Sequence, residues 1–167
     1  MSDQMNRLDF SIEPNTITLE RYSGTESFQV LDAACVFYTD EQFRQGITVR
    51  IDETKTICLN DFKEDIQFHD PDLEAYFVLL PLKMPFDEVV GQVFEIPERF
   101  DEATQQDVTW LYYSDHFDLS QNVIRFEEIS ENQIRVKWIG TTIDPLEFNK
   151  PEATFRADFW ANIQYSN

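Results

Sequence analysis

Residues 154–165 alternate apolar and polar side chains with a period of two, and this pattern constrains the fold more than any other. The apolar positions are Phe155, Ala157, Phe159, Ala161, Ile163 and Tyr165. A helix would scatter these residues around its circumference, whereas a strand gathers them on one face. The segment is therefore predicted to be a long amphipathic strand, with Trp160 as a large aromatic on its polar face.

Residues 122–142 are predicted to form a β-hairpin, because two alternating segments are separated by a short polar stretch. Pairing Ile129 with Gln133 across a three-residue loop sets three further pairs: Ile124 with Trp138, Phe126 with Val136 and Glu127 with Arg135. This register places apolar pairs on one face and an opposite-charge pair on the other. A second hairpin is predicted to turn around residues 52–56.

The remaining periodic segments complete an all-β pattern. Further strands are predicted at residues 8–12, 17–22, 28–38, 76–82, 92–96 and 108–113. Short helical turns are expected at 40–45 and 70–75, where a capping residue, a proline or a glycine stop is present. Strands without alternating helices indicate an antiparallel β-sandwich, with a closed or partly open β-barrel as the alternative.

A chain of 167 residues fits one domain, so residues 1–167 are predicted to share one core, with residues 1–7 as a flexible tail. No secretory leader and no run of about 18 apolar residues is visible, which predicts a soluble cytoplasmic protein without a membrane span. Cys35 and Cys58 lie in apolar segments and are expected to be reduced thiols. A bridge between them stays open if their strands are neighbours.

The formal net charge is −19, in a chain that nevertheless contains 15 Phe, 6 Tyr and 3 Trp. So many aromatic residues can form a core, so the carboxylates are assigned to the surface. Such a surface repels nucleic acid and anionic membranes and attracts basic proteins and cations. The acid is densest between Lys83 and Arg125, where Arg99 is the only cation.

Motifs of enzymes are absent from the sequence. Only four glycines are present, which rules out glycine-rich phosphate loops, and no GxSxG segment occurs. Ser114 and His116 share one face of an extended segment, but a third orienting group and an oxyanion hole are not indicated. No catalytic residue and no cofactor are therefore predicted.

Metal binding is an alternative, because both histidines lie in loops rich in aspartate. The candidate ligands are His69, Asp70, Asp72, Asp115, His116 and Asp118. Oxygen ligands suit calcium and a His/Asp set suits zinc, although neither an EF-hand loop nor a zinc spacing occurs. A divalent-cation-binding sandwich domain is therefore one functional hypothesis.

Aromatic residues beside carboxylates point to a protein interface, where aromatic anchors lie within a polar rim. The candidate partner-binding residues are Trp110, Tyr112, Tyr113, Asp115, Asp118 and Trp160. The leading hypothesis is a non-enzymatic interaction domain that binds a basic partner protein, in the manner of an inhibitor or immunity protein. A second hypothesis is a barrel or sandwich with a pocket for a small apolar or sugar ligand. If the C-terminal strand lies at a sheet edge, it offers a route to a homodimer.

Overall fold

The computed structural model of the protein describes residues 2–60 and 72–166. Within them the chain forms a short helix α1 (Ser2–Arg7), one turn of 3-10 helix (Phe86–Glu88) and twelve strands. In chain order the strands are β1 (Thr16–Arg21), β2 (Gly24–Thr39), β3 (Gln45–Asn60), β4 (Leu73–Leu79), β5 (Val93–Ile96), β6 (Phe100–Asp101), β7 (Gln106–Asp107), β8 (Thr109–Tyr113), β9 (His116–Phe117), β10 (Ser120–Ser130), β11 (Gln133–Thr142) and β12 (Ala153–Ser166).

Ten of these strands form one curled sheet in the order β5-β10-β11-β12-β1-β2-β3-β4-β8-β9, and β6 and β7 form a separate two-stranded sheet. Neighbours in the large sheet are antiparallel, except that β12 pairs in parallel with β2 over Asn162–Ser166, beyond the end of the short β1. The sheet is a half-barrel whose two edge strands are β5 and β9. The all-β prediction is confirmed, and the half-barrel is consistent with both the sandwich and the partly open barrel.

The alternation along β12 is confirmed by burial. From Phe155 to Ile163 its predicted apolar positions are buried, and Asp158 on the other face is buried against Arg135, with N–O distances of 2.8 and 2.7 Å. The strand pairs with β11 on one side and with β1 and then β2 on the other. It is therefore an interior strand. The predicted route to a homodimer required β12 to lie at a sheet edge, and in the described residues it does not.

The hairpin of β10 and β11 has the predicted apolar register with a different turn. Ser130 pairs with Gln133 around a two-residue turn, in which Glu131 has a φ of 56°. Glu128 pairs with Arg135, a register shift follows at Glu127, and beyond it Phe126 pairs with Val136 and Ile124 with Trp138. The two apolar pairs are confirmed, whereas the loop length and the Glu127 pairing are wrong, because a bulge absorbs the extra residue.

The predicted hairpin around residues 52–56 is wrong, since β3 runs through this segment as one strand of 16 residues. It pairs with the equally long β2, and register shifts near Asp32 keep the two strands together. The chain instead reverses at residues 40–44, where a helical turn was expected. There the Asp40 carboxylate accepts the backbone N–H groups of Gln42 and Arg44 at 3.0 and 2.7 Å.

The N-terminal segment differs from both of its predictions. Residues 2–7 form α1, where a flexible tail was expected, and no strand occurs at 8–12. Leu8 is fully buried in a small cluster with Val123 and Ile139, which anchors the chain just after the helix. Of the other predicted helical turn, residues 70 and 71 lie outside the described residues, and β4 begins at Leu73.

Aromatic side chains fill the interior of the half-barrel. Trp138 packs at its centre, with ring centroids 4.9 Å from Phe77 and 4.8 Å from Phe155. Its indole N–H donates to the Asn122 side-chain oxygen at 2.8 Å, so the buried polar group is satisfied. Trp138, Phe77 and Phe155 thus belong to the buried core of the half-barrel.

Cys35 lies in this interior as a free thiol, and burial raises its pKa to about 12. The thiol is therefore protonated and inert at neutral pH. The side chain of Cys58 lies outside the described part. Among the described residues, no helix has the length and apolar character needed to cross a bilayer.

Candidate functional site

A groove of about 870 Å³ lies at the edge of the sheet, where β9, the β6–β7 sheet and residues 142–152 meet. We call it the acidic groove. Its charged lining residues are Glu98, Arg99, Glu102, Asp107, Asp118 and Glu152, and the other side chains along it are Phe100, His116, Phe117, Ser120, Thr142 and Ile143. Among the described lining residues, five carboxylates thus face one guanidinium in a concave surface.

Arg99 is engaged by two of these carboxylates. The Arg99 Nε lies 3.2 Å from an Asp107 carboxylate oxygen, and the Arg99 Nη1 contacts the Asp118 carboxylate. The hydrogen bonds that Arg99 donates to Asp107 and Asp118 raise the pKa of Arg99, so it stays protonated. No cation of the described residues pairs with Glu98, Glu102 or Glu152. Within the described residues these three carboxylates thus have no ion-pair partner.

Exposed apolar side chains lie among the carboxylates. Phe100 is 46% exposed and Ile143 is 43% exposed, and both line the groove. Phe148 is 65% exposed, and its ring lies 6.4 Å from the groove residue Phe117. Acid and apolar surface therefore alternate at this site, as in the anchors and rim of a protein interface.

Hydrogen bonds fix the two segments that shape the groove. In residues 98–108, the Asp101 carboxylate accepts the N–H of Ala103 at 3.1 Å and the hydroxyl of Thr104 at 3.0 Å. In residues 142–152, the Asp144 carboxylate accepts the N–H groups of Leu146 and Glu147 at 3.0 and 3.1 Å. Hydrogen bonds within the protein thus hold both segments in place.

A buried network ties the second of these segments to the core. Arg21 lies 3.0 Å from Glu26 and 3.4 Å from Asp144, and all three side chains are fully buried. The Tyr113 hydroxyl donates to the Glu26 carboxylate, with both oxygens at 2.8 Å. Burial raises the pKa of Glu26, opposed by the Tyr113 hydrogen bond and Arg21, and burial together with the Glu26 charge raises the pKa of Tyr113.

Four rings form an aromatic row on the outer face of β4, β8 and β9. Trp110 stacks on Tyr76 with centroids 5.3 Å apart, and His116 contacts Trp110 at 5.6 Å and Tyr112 at 5.2 Å. Trp110 and Tyr112 are half-buried by these contacts. His116 belongs to both surfaces, so the aromatic row continues directly into the acidic groove.

The predicted partner-binding residues are only partly brought together. Trp110, Tyr112, Asp115 and Asp118 lie on β8, β9 and their turns, next to the groove. Tyr113 points to the opposite face, is 4% exposed and is bound to Glu26, so its assignment to a contact surface is corrected. The alternation of a strand sends neighbouring residues to opposite faces.

Trp160 lies apart from this site. It is half-buried on the outer face of β12, where its backbone N–H donates to the Asn15 side chain at 2.9 Å. Four strands separate β12 from β8 in the sheet order. One surface therefore does not contain both Trp110 and Trp160.

The predicted metal ligands do not form a cluster in the described residues, where no group of three or more suitable side chains occurs. Asp118 is held by Arg99, and the Asp115 carboxylate accepts the His116 backbone N–H at 2.8 Å. Asp72 is exposed. His69 and Asp70, the other two candidate ligands, lie outside the described residues.

No protein-family model, curated protein or solved structure matches the chain. Sequence reasoning missed Glu152 and Ile143, which line the groove, and the exposed Phe148, whose ring lies beside Phe117. The sequence pattern that could have indicated this segment is the presence of three apolar residues, Ile143, Leu146 and Phe148, in a loop with Pro145 and Pro151.

Proposed function

We propose that this protein is a non-enzymatic interaction domain that binds a basic partner protein through the acidic groove, as an inhibitor or immunity protein does. The observation that carries the proposal is a concave surface in which five carboxylates face one guanidinium beside exposed Phe and Ile side chains. A basic surface with apolar side chains complements both properties.

Electrostatics supports the first step of binding. A cleft lined by one sign of charge focuses the field of the protein, so it attracts a cationic partner and raises the association rate. Because screening acts within about 8 Å at physiological salt, the association rate falls as ionic strength rises. In this proposal, Glu98, Glu102 and Glu152 pair with lysine or arginine side chains.

Apolar contacts supply the part of the affinity that salt does not remove. Phe100, Ile143 and Phe148 are exposed in the free protein and become covered by the partner. Each offers a large apolar area at small entropic cost, since the loops that hold Phe100 and Phe148 are fixed by hydrogen bonds to Asp101 and Asp144. The aromatic row next to the groove enlarges the same surface.

Calorimetric titration with a defined basic probe tests the proposal. The probe is an acetylated peptide of about nine residues in which Lys alternates with Val, at about 20 mM and about 150 mM salt. In the triple variant E98Q/E102Q/E152Q, binding should weaken at least tenfold at low salt, because three rim contacts of about 0.5 kcal/mol each amount to that factor. No ion pair within the described protein is broken.

The matched control is E13Q/E41Q/E131Q, which removes three exposed carboxylates outside the groove lining and makes the net charge less negative by the same amount. It should change the affinity by less than about threefold. Equal weakening by the two triple variants would show attraction by net charge alone and would reject the groove as the site. An affinity independent of salt would also contradict the proposal.

A further inference from the structure

A second concave surface lies beside the edge strand β5. This cleft, of about 610 Å³, separates residues 78–84, which end and follow β4, from the edge strand β5. Its walls are mainly apolar, with Leu80, Met84, Phe94 and Val108 among them. Residues 78–84 and β5 thus line the same cleft, and no pairing between them occurs in the described residues.

The main chain of β5 presents hydrogen-bonding groups to this gap. Within the described residues β5 pairs only with β10, on its other side. The Gln121 N–H donates to the Pro97 carbonyl at 2.8 Å, and Glu95 pairs with Val123 two residues along. Because main-chain groups alternate in direction along a strand, those of Phe94 point away from β10 and toward the cleft.

The rim of the cleft is acidic and continues into the acidic groove. Glu95, Glu98 and Asp101 line it, against the single cation Lys83. Glu98 and Phe100 line both surfaces. A bound peptide that extends from the groove past Phe100 therefore reaches the cleft, whose acidic rim also favours basic side chains.

We propose that the cleft receives an extended segment of the basic partner, which pairs with β5 as an additional strand. Its apolar side chains point into the cleft, and the alternate side chains, lysine or arginine, reach the acidic rim. At about 3.3 Å per residue, the four residues of β5 match about four residues of the added strand. This inference rests on the proposed function and adds the conformation of the bound partner.

Backbone N-methylation of the Lys/Val peptide tests strand pairing without altering the protein. One peptide is methylated at its Val residues and the other at its Lys residues, so their charge and composition are matched. A strand added to β5 donates through alternate residues only. One pattern should therefore weaken binding at least tenfold and the other less than about twofold. In the wild-type complex with the unmethylated peptide, the Phe94 amide should exchange at least about tenfold more slowly than in the free protein.

The outcomes separate the two proposals. Equal tolerance of both methylation patterns, or an unchanged Phe94 amide, would overturn strand pairing, and the groove would remain the site if E98Q/E102Q/E152Q still weakens binding. Equal loss with both patterns would also overturn it, because alternation is its signature. If the unmethylated peptide does not bind at all, the proposed function and this inference both fail.

Discussion

The buried network and the acidic groove use the same chemical groups in opposite surroundings. In each, one arginine contacts two carboxylates: Arg21 with Glu26 and Asp144, and Arg99 with Asp107 and Asp118. The first three side chains are fully buried, whereas those of Arg99, Asp107 and Asp118 are 40%, 48% and 66% exposed. Only the exposed site carries further, unpaired carboxylates.

Solvation explains this difference. A charge removed from water must be compensated by partners, so the buried network holds its carboxylates against Arg21 and the Tyr113 hydroxyl. Water stabilises the surplus acid in the groove, where it is free to attract a ligand. Asp144 connects the two regions, because it contacts Arg21 and also caps the loop that borders the groove.

Replacing the arginine should give the largest contrast between the two regions. In Arg21→Met, Glu26 and Asp144 lose their cation in the core, which should lower the free energy of unfolding by about 3–5 kcal/mol. Arg99→Met breaks exposed pairs and should lower it by about 1 kcal/mol or less. Urea unfolding of both variants measures the difference. Equal losses would mean that burial does not set the strength of these contacts.

Removal of one hydroxyl should have an intermediate effect. Tyr113→Phe removes the hydroxyl that donates to the buried Glu26 carboxylate at 2.8 Å, and it should lower the free energy of unfolding by about 1–3 kcal/mol. The matched variant Tyr112→Phe alters a half-buried residue of the aromatic row and should cost less than about 0.5 kcal/mol. Thermal and urea unfolding report both values. A larger loss in Tyr112→Phe would contradict the assignment of Tyr113 to the core.

The pH dependence of stability should show the smallest effect. Burial raises the pKa of Glu26 above its ordinary value of about 4.3. A raised pKa in the folded state means that this group's contribution to stability is complete below that value and is lost as pH rises through the folded-state pKa. The unfolding free energy of the wild type minus that of Glu26→Gln should therefore fall from about pH 4 upward. A difference that grows with pH would show that the attraction to Arg21 outweighs burial.

Local periodicity in the sequence was sufficient to predict β12 and the apolar pairs of β10 and β11, since each depends on nearby residues. The continuous β3 was not predicted, because it forms by pairing with β2, whose contribution a local turn signal at residues 52–56 does not contain. Tyr113 was misassigned for a related reason: two adjacent tyrosines on β8 belong to opposite faces, and only the sheet shows which one is buried.

The groove was predicted as an acidic region but not as a shape. The density of carboxylates between Lys83 and Arg125 is visible in the sequence. Residues 142–152 reach this region through contacts between distant positions, such as Arg21 with Asp144, which are 123 residues apart. Separation of this size leaves no local pattern, so Glu152, Ile143 and Phe148 were not recognised as parts of the site.

Chemical-shift mapping of the Lys/Val peptide on the ¹⁵N-labelled protein tests most directly whether the exposed region, and not another face, is the binding surface. If the peptide binds the acidic groove, the amide shifts should be concentrated at residues 98–102, 116–118 and 142–152, and they should become smaller as the salt concentration rises. Shifts centred on Trp160 and Asn15, or spread evenly over the surface, would contradict it.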